Sequence, residues 1–166
     1  MESREFKPFG SVSALTLGGG GIGNVWGETS KDESIASVHL ALESGIDHLD
    51  VAPMYGKGEA ERVVGEAIKE RSRDSFRLTT KCALGSMPDE EVYDRFNTSL
   101  IRSLDTMGTD YVDLFLLHSQ LIENDHESQK PDSSFVATGN LTTLKSFYDA
   151  VVPAMETLKK EGKILN

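Results

Sequence analysis

Apolar positions along the chain switch repeatedly between two periods. Short apolar-rich runs stand at VSALTL (12–17), IDHLDV (46–51), FRLTTK (76–81) and YVDLFLL (111–117), and KILN (163–166) begins another. Their length, and the β-branched and aromatic content of several of them, predict strands. Between them apolar residues recur every three or four positions. Ile35, Val38 and Leu42 share one helical face, as do Val63, Val64, Ala67 and Ile68 in a segment from about Gly58 to Glu70. Val92, Phe96, Leu100 and Leu104 step by four, and a last helix is predicted from Pro153 to Glu161.

The predicted ends agree with this reading. Ser30 and Glu33 form a capping box, Ser86 and Pro88 open the third helix, and Gly45 and Gly162 stop theirs. By contrast, residues 119–140 are polar and turn-rich, and the stretch 119–147 is expected to be an exposed insertion in a single domain covering 1–166. Strand–helix units repeated four times predict a parallel α/β sheet with right-handed crossovers. Flavodoxin-like, Rossmann and (β/α)8 arrangements all satisfy the pattern.

Composition narrows the partners rather than the fold. The chain has 166 residues, 38% hydrophobic, and a formal net charge of −10. Such a field repels polyanions, so nucleic acid and anionic membrane surfaces are not expected partners. The first ten residues carry no apolar signal region and no run is long enough to span a bilayer. A single cysteine, Cys82, excludes an internal disulfide and a cysteine-based zinc site, and no metal is expected. The cytosol is the expected compartment.

Five places carry candidate chemistry. Gly18–Gly19–Gly20–Gly21–Ile22–Gly23 contains a literal G-x-G-x-x-G, but NVWGETS separates it from the next helix, whereas a Rossmann turn opens its helix directly. A flexible strand-end loop, or a backbone surface that a flat ligand can approach, accounts for the run as well. Asp50 ends the second strand, Lys81 the third and His118 the fourth, and Tyr55 follows Asp50 in the adjoining loop. Singly, each has a bland reading: a capping carboxylate, a packed turn tyrosine, a solvent-facing lysine, a hydrogen-bonded core-edge histidine. Their shared placement is the signal, because the carboxyl ends of parallel strands converge on one face, where ligands bind. A phenol ordinarily ionises near pH 10; an adjacent ammonium favours the phenolate, and a carboxylate holds the ammonium in place. With a histidine to hydrogen-bond a substrate oxygen, that set suits protonation of a carbonyl oxygen during reduction.

GIDHLDVAPMYGKGEAERVVGEAI, LTTKC, SLIRSLDTMGTDYVDLFLLH and LKKEGKILN together resemble the aldo-keto reductases in order and spacing. The resemblance implies a (β/α)8 barrel, of which this chain would be about the first four βα units and the start of strand five. It implies NADP(H)-dependent reduction of aldehydes or ketones, or oxidation of alcohols or sugars, with NAD(H) as the alternative cofactor. Tyr55 would be the general acid, Lys81 and Asp50 would tune it, and His118 would orient the carbonyl. Gly19, Gly20 and Asp50 would lie at the cofactor, and Trp26 would wall the substrate pocket. A complete barrel of this kind needs about 250 residues, so the chain is expected to be truncated. The alternative is a non-catalytic half-barrel acting as a binding or regulatory module, self-associating as a homo-oligomer through open sheet edges.

Overall fold

A computed structural model describes residues 1–7, 9–85, 87–123 and 141–166. Ser86, expected to open the third helix, and most of the expected insertion lie outside the described residues.

The chain begins with a hairpin that the apolar pattern did not disclose. Strands β1 (Ser3–Phe6) and β2 (Gly10–Ser13) pair antiparallel, with Ser3 opposite Ser13. The single strand expected at 12–17 is therefore divided, its first residues going to β2 and its last to β3 (Leu17–Gly18). Two bonds at Ser13 accompany the break, one local and one distant: its hydroxyl donates to Leu15 O at 2.6 Å, and its N–H donates to Asp47 Oδ1 at 2.8 Å. Short polar side chains that bond nearby backbone compete with a continuous ladder in this way. The glycine run then forms one helical turn, α1 (Gly19–Ile22), rather than an open loop.

Helix α2 (Lys31–Glu43) carries the expected capping box with both hydrogen bonds made. Strand β4 (His48–Asp50) follows, then α3 (Glu59–Ile68), β5 (Arg77–Cys82), α4 (Val92–Met107) and β6 (Leu114–Leu117). Strands β3, β4, β5 and β6 lie side by side in that order, all parallel. The final residues extend the sheet: Val112 bridges to Ile164, and Phe115 N donates to Asn166 O at 3.0 Å. Residues 163–166 thus run beside β6, where the fifth strand was expected.

The flanks of the polar segment form a short parallel pair, β7 (Gln120–Ile122) with β8 (Leu141–Thr143). The last helix begins earlier than Pro153. Thr143 caps α5 (Leu144–Ser146), a π turn spans Phe147–Val151, and α6 runs Val152–Lys160. Proline has no N–H for the carbonyl four residues back. The turn just ahead of Pro153 is already widened, Val152 N donating to Phe147 O, so the helical path passes through the proline without a break. Pro153 marked an expected start because an initial-turn proline and one next to a π turn look alike in sequence.

The core lies between the convex face of the sheet and its helices. Leu49, Leu78 and Phe115 point from the strands into Val63, Val64, Phe96 and Leu100, every one at most 2% exposed. Phe96 meets Phe115 edge-on at 5.4 Å. Each such side chain contributes about 1.5–3 kcal/mol by leaving water. Helices α3 and α4 cross closely at Gly65, where a Cβ would lie 2.7 Å from Thr106 O. The concave face differs. Leu114 and Leu116, which alternate with the buried Phe115, are only half-buried, short of the two-sided burial that the LFLL run suggests. Among the described residues no helix is long and apolar enough to cross a membrane.

Candidate functional site

Strand alternation sorts the chemistry of the sheet. In β5, Leu78, Thr80 and Cys82 point to the helices, while Thr79 and Lys81 point to the concave face. The parallel register sets Asp50 beside Thr79 and Lys81 beside Leu116, so the carboxyl ends of β4 and β5 meet at one spot. Lys81 is 7% exposed, not solvent-facing. Its ammonium pairs with Asp50 Oδ1, donates to Val51 O at 3.0 Å and reaches the Tyr55 hydroxyl at 3.3 Å. Nζ also stands 4.8 Å from the centre of the Tyr55 ring.

Tyr55 is held by an unusual turn. Gly56, Lys57 and Gly58 all have positive φ (+61°, +56° and +88°), which carries the chain sharply from Tyr55 into α3. At Gly56 nothing larger fits, since a Cβ would fall 1.8 Å from Gly23 O. The phenol ring packs against Gly19, where a Cβ would come 3.2 Å from Tyr55 Cδ2 and 2.9 Å from Val51 Cγ1. These two close approaches, rather than phosphate cradling, are what the glycines at 19 and 56 are needed for.

His118 follows β6 directly, its N–H donating to Cys82 O at 2.8 Å. Its ring stands edge-on to Tyr55, 5.9 Å between centres and at 87°. Burial lowers its pKa, with the Lys81 charge adding to the effect and Asp50 opposing it, so the imidazole is neutral at pH 7. The three residues named from strand ends, Asp50, Lys81 and His118, and Tyr55 from the adjoining loop therefore converge. Gly20 lies beneath Trp26, whose ring a Cβ at Gly20 would meet at 2.8 Å, and Trp26 itself is 80% exposed.

Two neighbours were not legible beforehand. His48 sits two residues before Asp50 on the same face, its ring nitrogens bonded to Thr16 Oγ1 at 2.9 Å and Thr79 Oγ1 at 2.8 Å. Glu61, within the helical repeat of α3, is buried behind β5 and accepts a hydrogen bond from the Thr80 hydroxyl at 2.7 Å. Period-2 spacing from Asp50 could have pointed to His48. Glu61 fell among the polar positions of an amphipathic helix, and no sequence signal separates it from a solvated glutamate.

The sequence profile of the Aldo/keto reductase family matches residues 14–166. This chain belongs to the aldo/keto reductase family. Aldo-keto reductase YhdN of Bacillus subtilis is 39% identical over 114 residues, covering 64% of this chain and 34% of that protein. L-galactose dehydrogenase of Arabidopsis thaliana is 28% identical over 154 residues, covering 92% of this chain and 42% of its own length. Among solved structures, the aldo-keto reductase of Klebsiella pneumoniae in complex with NADPH superposes with a TM-score of 0.70 at 27% identity, covering 99% of this chain and 48% of that one. The fold is thus part of the (β/α)8 barrel of the aldo-keto reductases, and this chain spans less than half the length of each of these three relatives.

Proposed function

We propose that Asp50, Tyr55, Lys81 and His118 form the reactive centre of an NADP(H)-dependent carbonyl reductase, working in reverse as an alcohol or sugar dehydrogenase. The observation that carries this reading is the Lys81 ammonium, which holds Asp50, the Val51 carbonyl and the Tyr55 hydroxyl together. Tyr55 donates its proton to the carbonyl oxygen of a small aldehyde, ketone or sugar. The charge left on the phenolate oxygen is stabilised by the ammonium 3.3 Å away. Asp50 keeps that ammonium in place. Neutral His118 donates from its N–H to the same substrate oxygen and fixes its direction. Reprotonation of Tyr55 from solvent completes the cycle.

The donor set and its surroundings fit the reactive end of a nicotinamide. That group, when bound, supplies the hydride. Gly19, Gly20 and Asp50 would hold it, the Gly19 backbone lying against the Tyr55 ring, and the exposed Trp26 ring would wall the substrate side. The bound NADPH of the Klebsiella relative and the sugar substrate in the name of the Arabidopsis relative support this choice of cofactor and substrate class.

The test is Tyr55→Phe in the protein that carries this chain, followed by NADPH consumption with a small aldehyde. The rate is expected to fall about 10²–10⁴-fold, the usual share of a general acid, with the far-ultraviolet circular dichroism spectrum kept. An unchanged rate would remove Tyr55 from the chemistry.

A further inference from the structure

The turn that presents Tyr55 runs directly into α3, while Lys81 stands on β5. The distance between phenol and ammonium therefore depends on how α3 is seated on β5. On the α3 side the turn is fixed, with Ala60 N donating to Tyr55 O at 3.3 Å and Gly56 pressed against Gly23 O. On the β5 side, the residue next to Lys81 is Thr80, which points the opposite way, into the helix layer. Its hydroxyl donates to Glu61 Oε1 at 2.7 Å, and the two residues are 0% and 3% exposed. An apolar pair would fill this space at lower cost, since a buried carboxylate loses its hydration.

We propose that Glu61 and Thr80 are positioning residues, whose hydrogen bond across the α3–β5 interface sets the separation of Tyr55 and Lys81. The inference rests on the reading of Tyr55 as proton donor and adds to it a part of the molecule on the other side of the sheet. The electrostatics are consistent with a link through the strand. Burial pushes the Glu61 pKa up, the Thr80 and then the Ser103 hydroxyl pull it down, and Arg102 and Lys81 pull the same way. A contact that only held the fold would change stability and leave the phenol alone.

The experiment reads ionisation of Tyr55 in the intact chain, as absorbance at 295 nm on raising the pH, each variant measured against the same variant carrying Tyr55→Phe. Glu61→Gln keeps the acceptor and removes the charge. The double variant Glu61→Leu/Thr80→Val removes both partners, a replacement that is often close to neutral for folding. The double variant is expected to titrate at least about half a pH unit above Glu61→Gln, a threefold change in ionisation constant, because the ammonium no longer sits as close. Coincident curves would overturn the proposal. Should the double variant fail to fold, Thr80→Val against Thr80→Ser makes the same comparison at constant charge, with the same upward shift expected and the same coincidence fatal. Lys81→Met provides the separate control. If it leaves the Tyr55 titration in place, the Tyr55–Lys81 pair itself is wrong, whatever Glu61 does.

Discussion

The two faces of β5 obey different rules. On the convex side Leu78 and Thr80 are sealed at 0% exposure under α3 and α4, and the polar group there, Thr80, is bonded to Glu61. On the concave side Thr79 and Lys81 join His48, Asp50 and Tyr55 in a network of polar groups, several of them half-buried. One face is organised by volume and the other by charge and hydrogen bonds. The same strand therefore carries stability and chemistry on alternate residues, and a substitution one position along should change which of the two is lost.

The sharpest way to separate the faces is to empty one of them. Leu78→Ala should cost about 2–5 kcal/mol, the range for a leucine truncated in a close-packed core. The loss is read as a lower urea midpoint, while Tyr55→Phe should move that midpoint little. If Leu78→Ala were tolerated, the convex face would not be the stabilising one. A smaller effect is expected from filling rather than emptying. Gly65→Ala places a methyl 2.7 Å from Thr106 O, against backbone that cannot yield easily, and should cost about 1–3 kcal/mol by the same measurement.

The smallest effect belongs to the concave face and depends on pH. Burial lowers the pKa of His48 from 6.5, opposed by Asp50, Asp47 and Asp113 and assisted by Lys81. The pKa of His118 is lowered in the same direction by burial. In the window below 6.5 the unfolded chain therefore binds protons that the folded chain refuses, so stability rises with pH there. The contribution is complete above the unfolded value and is lost as pH falls towards the folded one. Urea midpoints at pH 7.5, 6.5 and 5.5 should decline at the acidic end, and His48→Gln should flatten part of that decline. An identical decline in the variant would remove His48 as a cause.

The legible part of the fold was the part written in local periodicity. The step of four through Val92, Phe96, Leu100 and Leu104 and the box at Ser30 and Glu33 predicted α4 and the start of α2, because an exposed helix must hide one stripe and cap its own amides. The hairpin of β1 and β2 was missed because SREF and GSVS are exposed or nearly so on most positions and carry no apolar signal. The helical path through Pro153 was misread because a single residue type serves two backbone situations.

For the site, residue order alone puts Asp50, Lys81 and His118 at strand ends, with Tyr55 in the next loop. Parallel strands in register oblige such ends to meet, so convergence followed from topology once the alternation of strands and helices was recognised. That Lys81 turns inward onto Asp50 and Tyr55 rather than towards water, and that Glu61 lies behind it, came from long-range packing. Those outcomes depend on which face each helix covers and on the left-handed turn at 56–58 pressed against Gly23. Contacts between residues far apart in the chain fix both, and no local pattern of polar and apolar positions encodes them.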